Sequence, residues 1–323
     1  MIGQTVSTQA ATNTKKKYHI MKDGVGGLIF DICIYAFLIF LLIITLYPFL
    51  NIIAVSFNDA IDSLAGGIHI WPRIFTTFNY EQIFKDSTII NSTIMSILRT
   101  VVGALATTAC CFMCAYALSR KHYVLRLFIS RVFVFTMYFS GGLIPYYLLM
   151  KSLGLVGTFW VYIIPALVSA WNIMVMRSFI EQSIPDSLID SAHIDGASEF
   201  RTLVAIVTPL SVPVIATVIL WTAVGQWNSW FDVYLYNNNK KDLSTLQFEL
   251  QKVLQKSMTS AGAAASTMYS ASAAAQQDSR VQATTPQATR AAMTVVATAP
   301  ILCAYPFLQR YFIHGLTLGG IKG

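Results

Sequence analysis

Apolar residues in this chain gather into long runs, most of them separated by short polar connections. A run of about 20 apolar residues, wound at roughly 1.5 Å per residue, crosses about 30 Å of hydrocarbon. Six runs stand near residues 29–55, 90–118, 127–150, 158–180, 204–230 and 291–312, and each predicts a transmembrane helix. Pro145, Pro165, Pro209, Pro213, Pro300 and Pro306 fall within them. Each removes a backbone N–H and favours a kink, which neighbouring helices can accommodate.

Two polar segments interrupt this rhythm. Residues 231–290 separate the fifth and sixth runs. Within them "LSTLQFELQKVLQKS" (243–257) places Leu246, Leu250, Val253 and Leu254 at helical spacing, predicting an amphipathic helix. Residues 259–292 are rich in Ala, Ser, Thr and Gln. They offer too little apolar area to offset their ordering entropy, so a mobile tract is expected unless an external partner orders it.

The second interruption is shorter and more unusual. "DSAHIDGASEF" (190–200) carries Asp190, Asp195 and Glu199, with Asp186 just upstream. At mid-bilayer four acids would cost on the order of 10 kcal/mol, so the segment lies outside the membrane. "SIPD" (183–186) reads as a capping box in which Ser183 caps a helix over 185–194 and Asp186 reaches back. Gly196 then permits a sharp reversal. A second helix carries Phe200, Leu203 and Val204 into the fifth run. Ala192, Ala197 and Ser198 keep the surface thin, as a knob entering a groove on another protein requires.

Composition sharpens the class. The chain is 55% hydrophobic and only 11% charged, with a mean hydropathy of +0.58. Those values define an all-α, multi-pass membrane protein. A formal charge of +7 suggests nucleic acid, but the bases are scattered over loop ends, which membrane topology explains better. Lys15–Lys17, Lys22, Arg120, Lys121, Arg126, Arg177, Arg201, Arg310 and Lys322 fall on one side of the six-span layout. Arg73, Lys85 and Lys151 fall on the other. The positive-inside rule then places both termini and the 181–203 insert in the cytoplasm, with 231–290 outside. The basic, polar N-terminal stretch lacks a short apolar core with a cleavage site, predicting a retained anchor rather than a signal peptide.

Reactive chemistry is sparse. Cys33, Cys110, Cys111, Cys114 and Cys303 lie in apolar runs, and "CCFMC" (110–114) lacks a second ligand pair, so these read as packing residues. The five histidines are dispersed without ligand spacing. "NST" (91–93) matches a glycosylation acceptor at the edge of a span. The tail "GLTLGGIKG" mimics a phosphate loop, yet lacks the Lys-Ser/Thr pair that holds phosphate and Mg²⁺.

The segment "DSAHIDGASEFRTLVAIVTPLSVPVIA" (190–216) resembles the cytoplasmic loop of binding-protein-dependent ABC import permeases. The pattern of that loop is Glu-Ala-Ala, three residues, Gly, then a Leu-Pro pair some nine residues later. "PLSVP" (209–213) and the ending "HGLTLGGIKG" (314–323) are similar to the maltose-type carbohydrate branch. The long outer loop resembles the subgroup handling oligosaccharides or polysaccharide fragments, alginate- or uronate-type sugars among them. The resemblance implies the ABC importer permease fold and a subunit without catalysis of its own, in the bacterial cytoplasmic (inner) membrane. Implied partners are a second permease, two cytoplasmic ATPases that hold ATP and Mg, and an extracytoplasmic sugar-binding protein. No cofactor is expected in this chain.

On that resemblance residues 183–199 become a coupling helix, with Asp190, Ser191, Ala192, Asp195, Gly196 and Ala197 carrying the ATPase-docking motif. Two positions depart from the family pattern. Asp190 replaces the usual Glu and Ser191 the first Ala, so a direct ion pair from Asp190 is put in doubt and a water bridge becomes the alternative. Gly315 and Lys322 mark a tail expected near the ATPase. The expected partition is a cytoplasmic 1–28, spans one to five with the coupling helix in 29–230, an outer loop 231–290, and the last span with its tail in 291–323. Between Lys240 and Arg290, six bases face three acids, a balance compatible with an acidic or a neutral sugar.

Polar residues within spans are the candidate sugar pathway: Asn172 and Gln226, with Trp221 supplying an aromatic face. Trp227 and Trp230 stand near a helix end, where headgroup anchoring is the expected role. Arg99 and Arg131, within or beside spans, must face protein, line water or snorkel. A secondary transporter would need carboxylates within the spans for ion coupling, and these are lacking apart from Asp31 at an edge. An intramembrane enzyme would need a nucleophile–base pair at membrane depth, and none stands out. A permease for a non-sugar solute would share the Gly loop, so "PLSVP" and the tail tell against it.

Overall fold

The computed structural model describes residues 25–264 and 284–318. The chain divides into two compact units, Met1–Leu50 and Asn51–Gly323. The described part of the first is the opening of α1 (Val25–Ser56), whose side chains from Ile29 to Phe49 are almost all exposed. An apolar helix so exposed requires lipid or a protein partner around it.

Helices and their connections make up the described residues of the second unit, with one isolated antiparallel bridge between Asn58 and Phe75. Two short helices, α2 (Ala60–Leu64) and α3 (Phe78–Lys85), precede the long α4 (Ser87–Ser119). Asn58 organises this stretch: its amide donates to Asp62 at 2.8 Å and accepts from the Ile74 N–H at 2.9 Å. Next come α5 (Arg126–Tyr138), α6 (Leu143–Ser152) and two 3₁₀ turns at Phe159–Tyr162 and Ile164–Ala166. They lead into α7 (Ala170–Ser183) and the small α8 (Asp186–Ile194) and α9 (Glu199–Thr202). A π turn at Leu203–Val207 joins α9 to α10 (Thr208–Leu210), and α11 (Val212–Asn228) and α12 (Phe231–Tyr236) follow. α13 (Leu246–Ala264) and α14 (Pro286–Leu318) complete the order.

Helix α4 is the central post of this unit, packed against α7, α11 and α13. Its buried stripe is small-residue-rich, including Ser92, Ser96, Gly103, Ala104, Thr107, Thr108, Cys111 and Ala115, which lets neighbouring backbones approach closely. Cys111 is fully buried and accepts from the Ser169 N–H, so its role here is packing.

Among the described residues two helices are single spans by length and hydropathy, Ile29–Ser56 and Ser87–Ser119, and they match the first two expected runs. The next three expected runs are broken. Arg126–Tyr138 and Leu143–Ser152 meet at 120°, Phe159–Ala166 and Ala170–Ser183 at 45°, and Glu199–Leu210 and Val212–Asn228 at 81°. The first break is made by Gly141–Gly142, with Gly142 at φ +88°, a conformation open chiefly to glycine. The third falls at Ser211, between Pro209 and Pro213, neither of which can donate to the preceding turn. Apolar content alone does not distinguish a straight span from a folded one, and here glycine pairs mattered as much as proline. Pro300 and Pro306, expected to kink, lie inside the continuous α14, which contains the sixth expected run.

The amphipathic helix expected over 243–257 is the first part of α13. Leu246 and Leu250 are buried and Leu254 packs beside them, as their spacing requires. Ser96 of α4 caps this helix from outside by accepting from the Leu246 N–H at 2.9 Å. The tract expected to be mobile, 259–292, is helical at both ends, and its middle, 265–283, lies outside the described residues.

Candidate functional site

Two features concentrate polar chemistry: the small helical knob of α8 and α9, and a cavity between α4, α7 and α11. The knob forms as expected in its helix and its turn, but not in its start. Ser183 ends α7 rather than capping α8, and the N-cap of α8 is Pro185, which has no side-chain hydrogen bond. Asp186 turns the other way and takes a 2.6 Å ion pair from Lys121 in the α4–α5 connection. That ammonium holds the Asp186 carboxyl below its ordinary range. The capping-box reading failed because Ser183 still belongs to α7 and the Lys121 ammonium outcompetes the Ser183 backbone N–H for the Asp186 carboxylate.

The end of α8 explains why glycine stands at 196. The Ala197 N–H donates to the Ala192 carbonyl at 2.9 Å, and the Gly196 N–H to His193 at 3.0 Å. These are the two bonds of a Schellman stop, with Gly196 at φ +79°. Ser198 then caps α9 by accepting from the Arg201 N–H. Glu199 is tied down by the Tyr116 hydroxyl, which donates to it at 2.5 Å, and lies 3.4 Å from His193. Ile189 and Ala192 face inward, Ile189 against the cluster of Phe112, Ala115 and Ile180. Asp190, Ser191, Asp195 and Gly196 face outward, so the structure brings the six motif residues into one small stopped helix and its cap.

Exposed apolar residues crown the knob: Leu188, Ile194 at 86% and Phe200 at 71%. Beside it, a cavity of about 430 Å³ holds Arg120, Lys121, Arg126, Glu181 and Asp186. There Glu181 accepts from Arg126 at 2.9 Å and from Arg177 at 3.0 Å. The knob is thus tied to the α4–α5 connection through Asp186 and to α4 through Glu199, beside an α5–α7 ion-pair cluster, while its apolar tips stay exposed.

The larger cavity, about 560 Å³, is lined by Asn172, Trp221 and Gln226, the three residues singled out in the sequence, together with Tyr146, Tyr162 and Tyr236. Asn172 and Trp221 are joined, the indole N–H donating to the amide oxygen at 2.9 Å. Gln226 instead serves Arg99. Its amide oxygen accepts from Arg99 Nε at 3.1 Å and Nη2 at 2.9 Å, while its own N–H donates to the Tyr162 carbonyl at 3.3 Å. Arg99 also pairs with Asp232, at 3.2 and 2.5 Å, and with the Ser229 carbonyl at 3.4 Å. Its guanidinium lies 4.4 Å from the Tyr162 ring centroid.

The Arg99–Asp232 pair was missed in the sequence, although a signal was present. A lone arginine at the middle of a span needs a counter-charge, and Asp232 is the first acid after the fifth run. Trp227, expected at the headgroup level, is instead a packing residue, and Trp230 is half-buried. Trp227 is buried among Ile83, Leu246 and Met293 and donates to the Ala297 carbonyl at 2.9 Å. Trp230 packs against the cluster of Met150, Tyr162 and Val233. Arg131 is exposed on α5. The "NST" acceptor lies inside α4 with Ser92 buried, a poor place for glycosylation. Gly315 lies in α14, and Lys322 is outside the described residues.

A bundle of broken apolar helices with a glycine-stopped knob at one end defines a membrane-embedded permease. The chain belongs to the binding-protein-dependent transport system inner membrane component family, whose model matches residues 111–317. It is 38% identical to Protein LplC of Bacillus subtilis (strain 168), over 94% of this chain and 99% of that one. It is 36% identical to the polygalacturonan/rhamnogalacturonan transport system permease protein YtcP of the same organism, over 91% and 99%. Among solved structures it is similar to a chain of a bacterial ABC transporter involved in the import of the acidic polysaccharide alginate. That similarity has a TM-score of 0.78 at 24% identity, covers 90% and 99% of the two chains, and establishes the shared fold. The chain is therefore an inner-membrane permease component, and family membership makes its role translocation rather than catalysis.

Proposed function

We propose that this chain is one of two permease subunits of an ATP-driven importer of oligosaccharides or polysaccharide fragments. A second permease completes the pathway, two cytoplasmic ATPases hold ATP and Mg, and an extracytoplasmic binding protein delivers the sugar. The chain crosses six times with both termini inside: α1, α4, the three bent pairs counted as one span each, and α14. Residues 1–28 and the knob then lie in the cytoplasm and 231–290 lie outside, a layout the arginine and lysine distribution supports.

The observation that carries this reading is the stopped helix α8. It is short and outward-facing; Ile194 and, on the adjoining α9, Phe200 crown the knob, and Lys121, paired with α8, and Tyr116, bonded to α9, brace it. A rigid apolar-tipped knob transmits a push; a solvated loop does not. Asp190, Ser191, Asp195, Gly196 and Ala197 form the ATPase contact, while Ala192, counted with them in the sequence, is buried and seats the helix from beneath, with the tail at Gly315 and Lys322 nearby. ATPase closure moves the knob, and the breaks at Gly142 and Ser211 convert that movement into alternating access. The sugar passes the cavity of Asn172, Trp221 and Gln226, where an aromatic face and amides suit pyranose rings. The names of its relatives support an oligosaccharide or polysaccharide cargo.

Mild-detergent purification of the tagged chain from its host, with mass spectrometry of what remains bound, tests the proposal. A second permease and an ATPase are expected. A stable homo-oligomer that transports alone would overturn it.

A further inference from the structure

The cavity wall contributed by this chain contains two charged residues among those described, Arg99 and Asp232. Arg99 is the deeper, 2% exposed, while Asp232 is 23% exposed. Arg99 makes five hydrogen bonds, to Gln226, Ser229 and Asp232, and a guanidinium has five N–H donors. No donor is left for a ligand. The cation is paired with the more exposed Asp232 carboxylate, and the remaining wall is uncharged: aromatic, hydroxyl and amide groups of Trp221, Tyr146, Tyr162, Thr222 and Asn172 beside aliphatic residues such as Val161 and Val168.

An uncovered guanidinium at this position would grip a sugar carboxylate by a two-pronged, charge-assisted bond in a poorly solvated site. A pathway must release what it admits, and a tight anion site in its wall would retain acidic cargo. We infer that Asp232 is a specificity-determining residue: by occupying Arg99 it makes this wall neutral, so that it contacts sugar rings and hydroxyls without discriminating for carboxylates. Discrimination between acidic and neutral sugars is thereby left to the other subunits. The inference rests on the reading that this cavity belongs to the sugar pathway.

The test uses the assembled importer in nanodiscs without its binding protein. Saturation-transfer NMR gives dissociation constants for a neutral hexose trisaccharide and a uronate trisaccharide of the same linkage. Asp232→Asn removes the negative charge that offsets Arg99, leaving a weaker amide partner that a carboxylate can displace, and is expected to tighten the uronate about tenfold relative to the neutral sugar. Arg99→Gln leaves Asp232 uncovered and should shift the same ratio the opposite way. Because each ratio is internal to one preparation, reduced assembly of either variant does not alter it. An unchanged ratio in both variants overturns the inference and makes the pair purely structural. A fall in uronate preference in both overturns it differently, making Arg99 itself the carboxylate ligand. Trp221→Ala tests the underlying reading separately: it should weaken both sugars alike, and no effect on either would remove the cavity from the pathway.

Discussion

Gly196 and Asp186 bracket the knob, and each serves it in a way that side-chain chemistry alone does not suggest. At φ +79°, Gly196 has nothing within 4 Å of where a Cβ would stand, so alanine there meets backbone strain without a clash. That strain is about 1–2 kcal/mol, and Gly196→Ala should weaken ATPase association modestly. Proline cannot reach that φ and removes the N–H bonded to His193. Gly196→Pro should therefore abolish ATPase co-purification while membrane insertion, read by protease protection, stays intact. Normal association in this variant would remove the knob from the coupling role. Asp186 acts through charge. Its carboxyl is held below the ordinary value of 3.8 by Lys121. A lowered folded value contributes stability above the ordinary value and loses it as pH falls through the lowered one. The pairing should therefore be constant from about pH 5 to 8 and fail only in acid below about pH 4. The pair is largely exposed, so Asp186→Asn should cost at most about 1 kcal/mol in thermal unfolding of the purified complex. A strong dependence between pH 5 and 8 would point to another group.

Among the elements, the crossing of α4 and α11 is the most tightly specified. A Cβ on Gly103 would stand 2.9 Å from Gln226 Cδ and Nε2, and Gln226 cannot swing away without releasing Arg99. Gly103→Leu should destabilise the protein by about 1–3 kcal/mol, and Gly103→Ala by less, in thermal unfolding followed by fluorescence. Equal stability of both variants with wild type would show that the crossing is loose. These elements also mark the limits of what the sequence discloses. Spans α1 and α4 were legible because twenty apolar residues have few alternatives to crossing a membrane. Leu246, Leu250 and Leu254 declared α13 by spacing alone. The folding of 127–150 back at 120° was not legible, since Gly141–Gly142 sits in a run whose hydropathy is unbroken. The motif residues of the knob and the trio of Asn172, Trp221 and Gln226 were found in sequence. Their pairings with Lys121, Tyr116, Arg99 and Asp232 were not, although Arg99 itself stood out, because ion pairs and hydroxyl contacts across 65 to 133 positions leave no local pattern.

At the scale of the whole molecule, a permease of this family works only as part of a larger assembly, and its surface reflects that. The apolar bands of α1 and α4 are suited to lipid or to a second membrane chain. Ile194 and Phe200 are different: they stand on an acidic, polar knob that the bilayer excludes. Before assembly they face water, as the exposed apolar patches of unfinished proteins do. Such patches are what cellular quality control recognises, so a chain without partners should be short-lived however well it inserts. Its abundance would then follow the supply of ATPase. Pulse–chase labelling with and without the ATPase should show a several-fold difference in half-life, and Ile194→Ser with Phe200→Ser should lengthen the life of the unassembled chain. The contact that transmits force would in that case also keep the inventory of subunits in proportion.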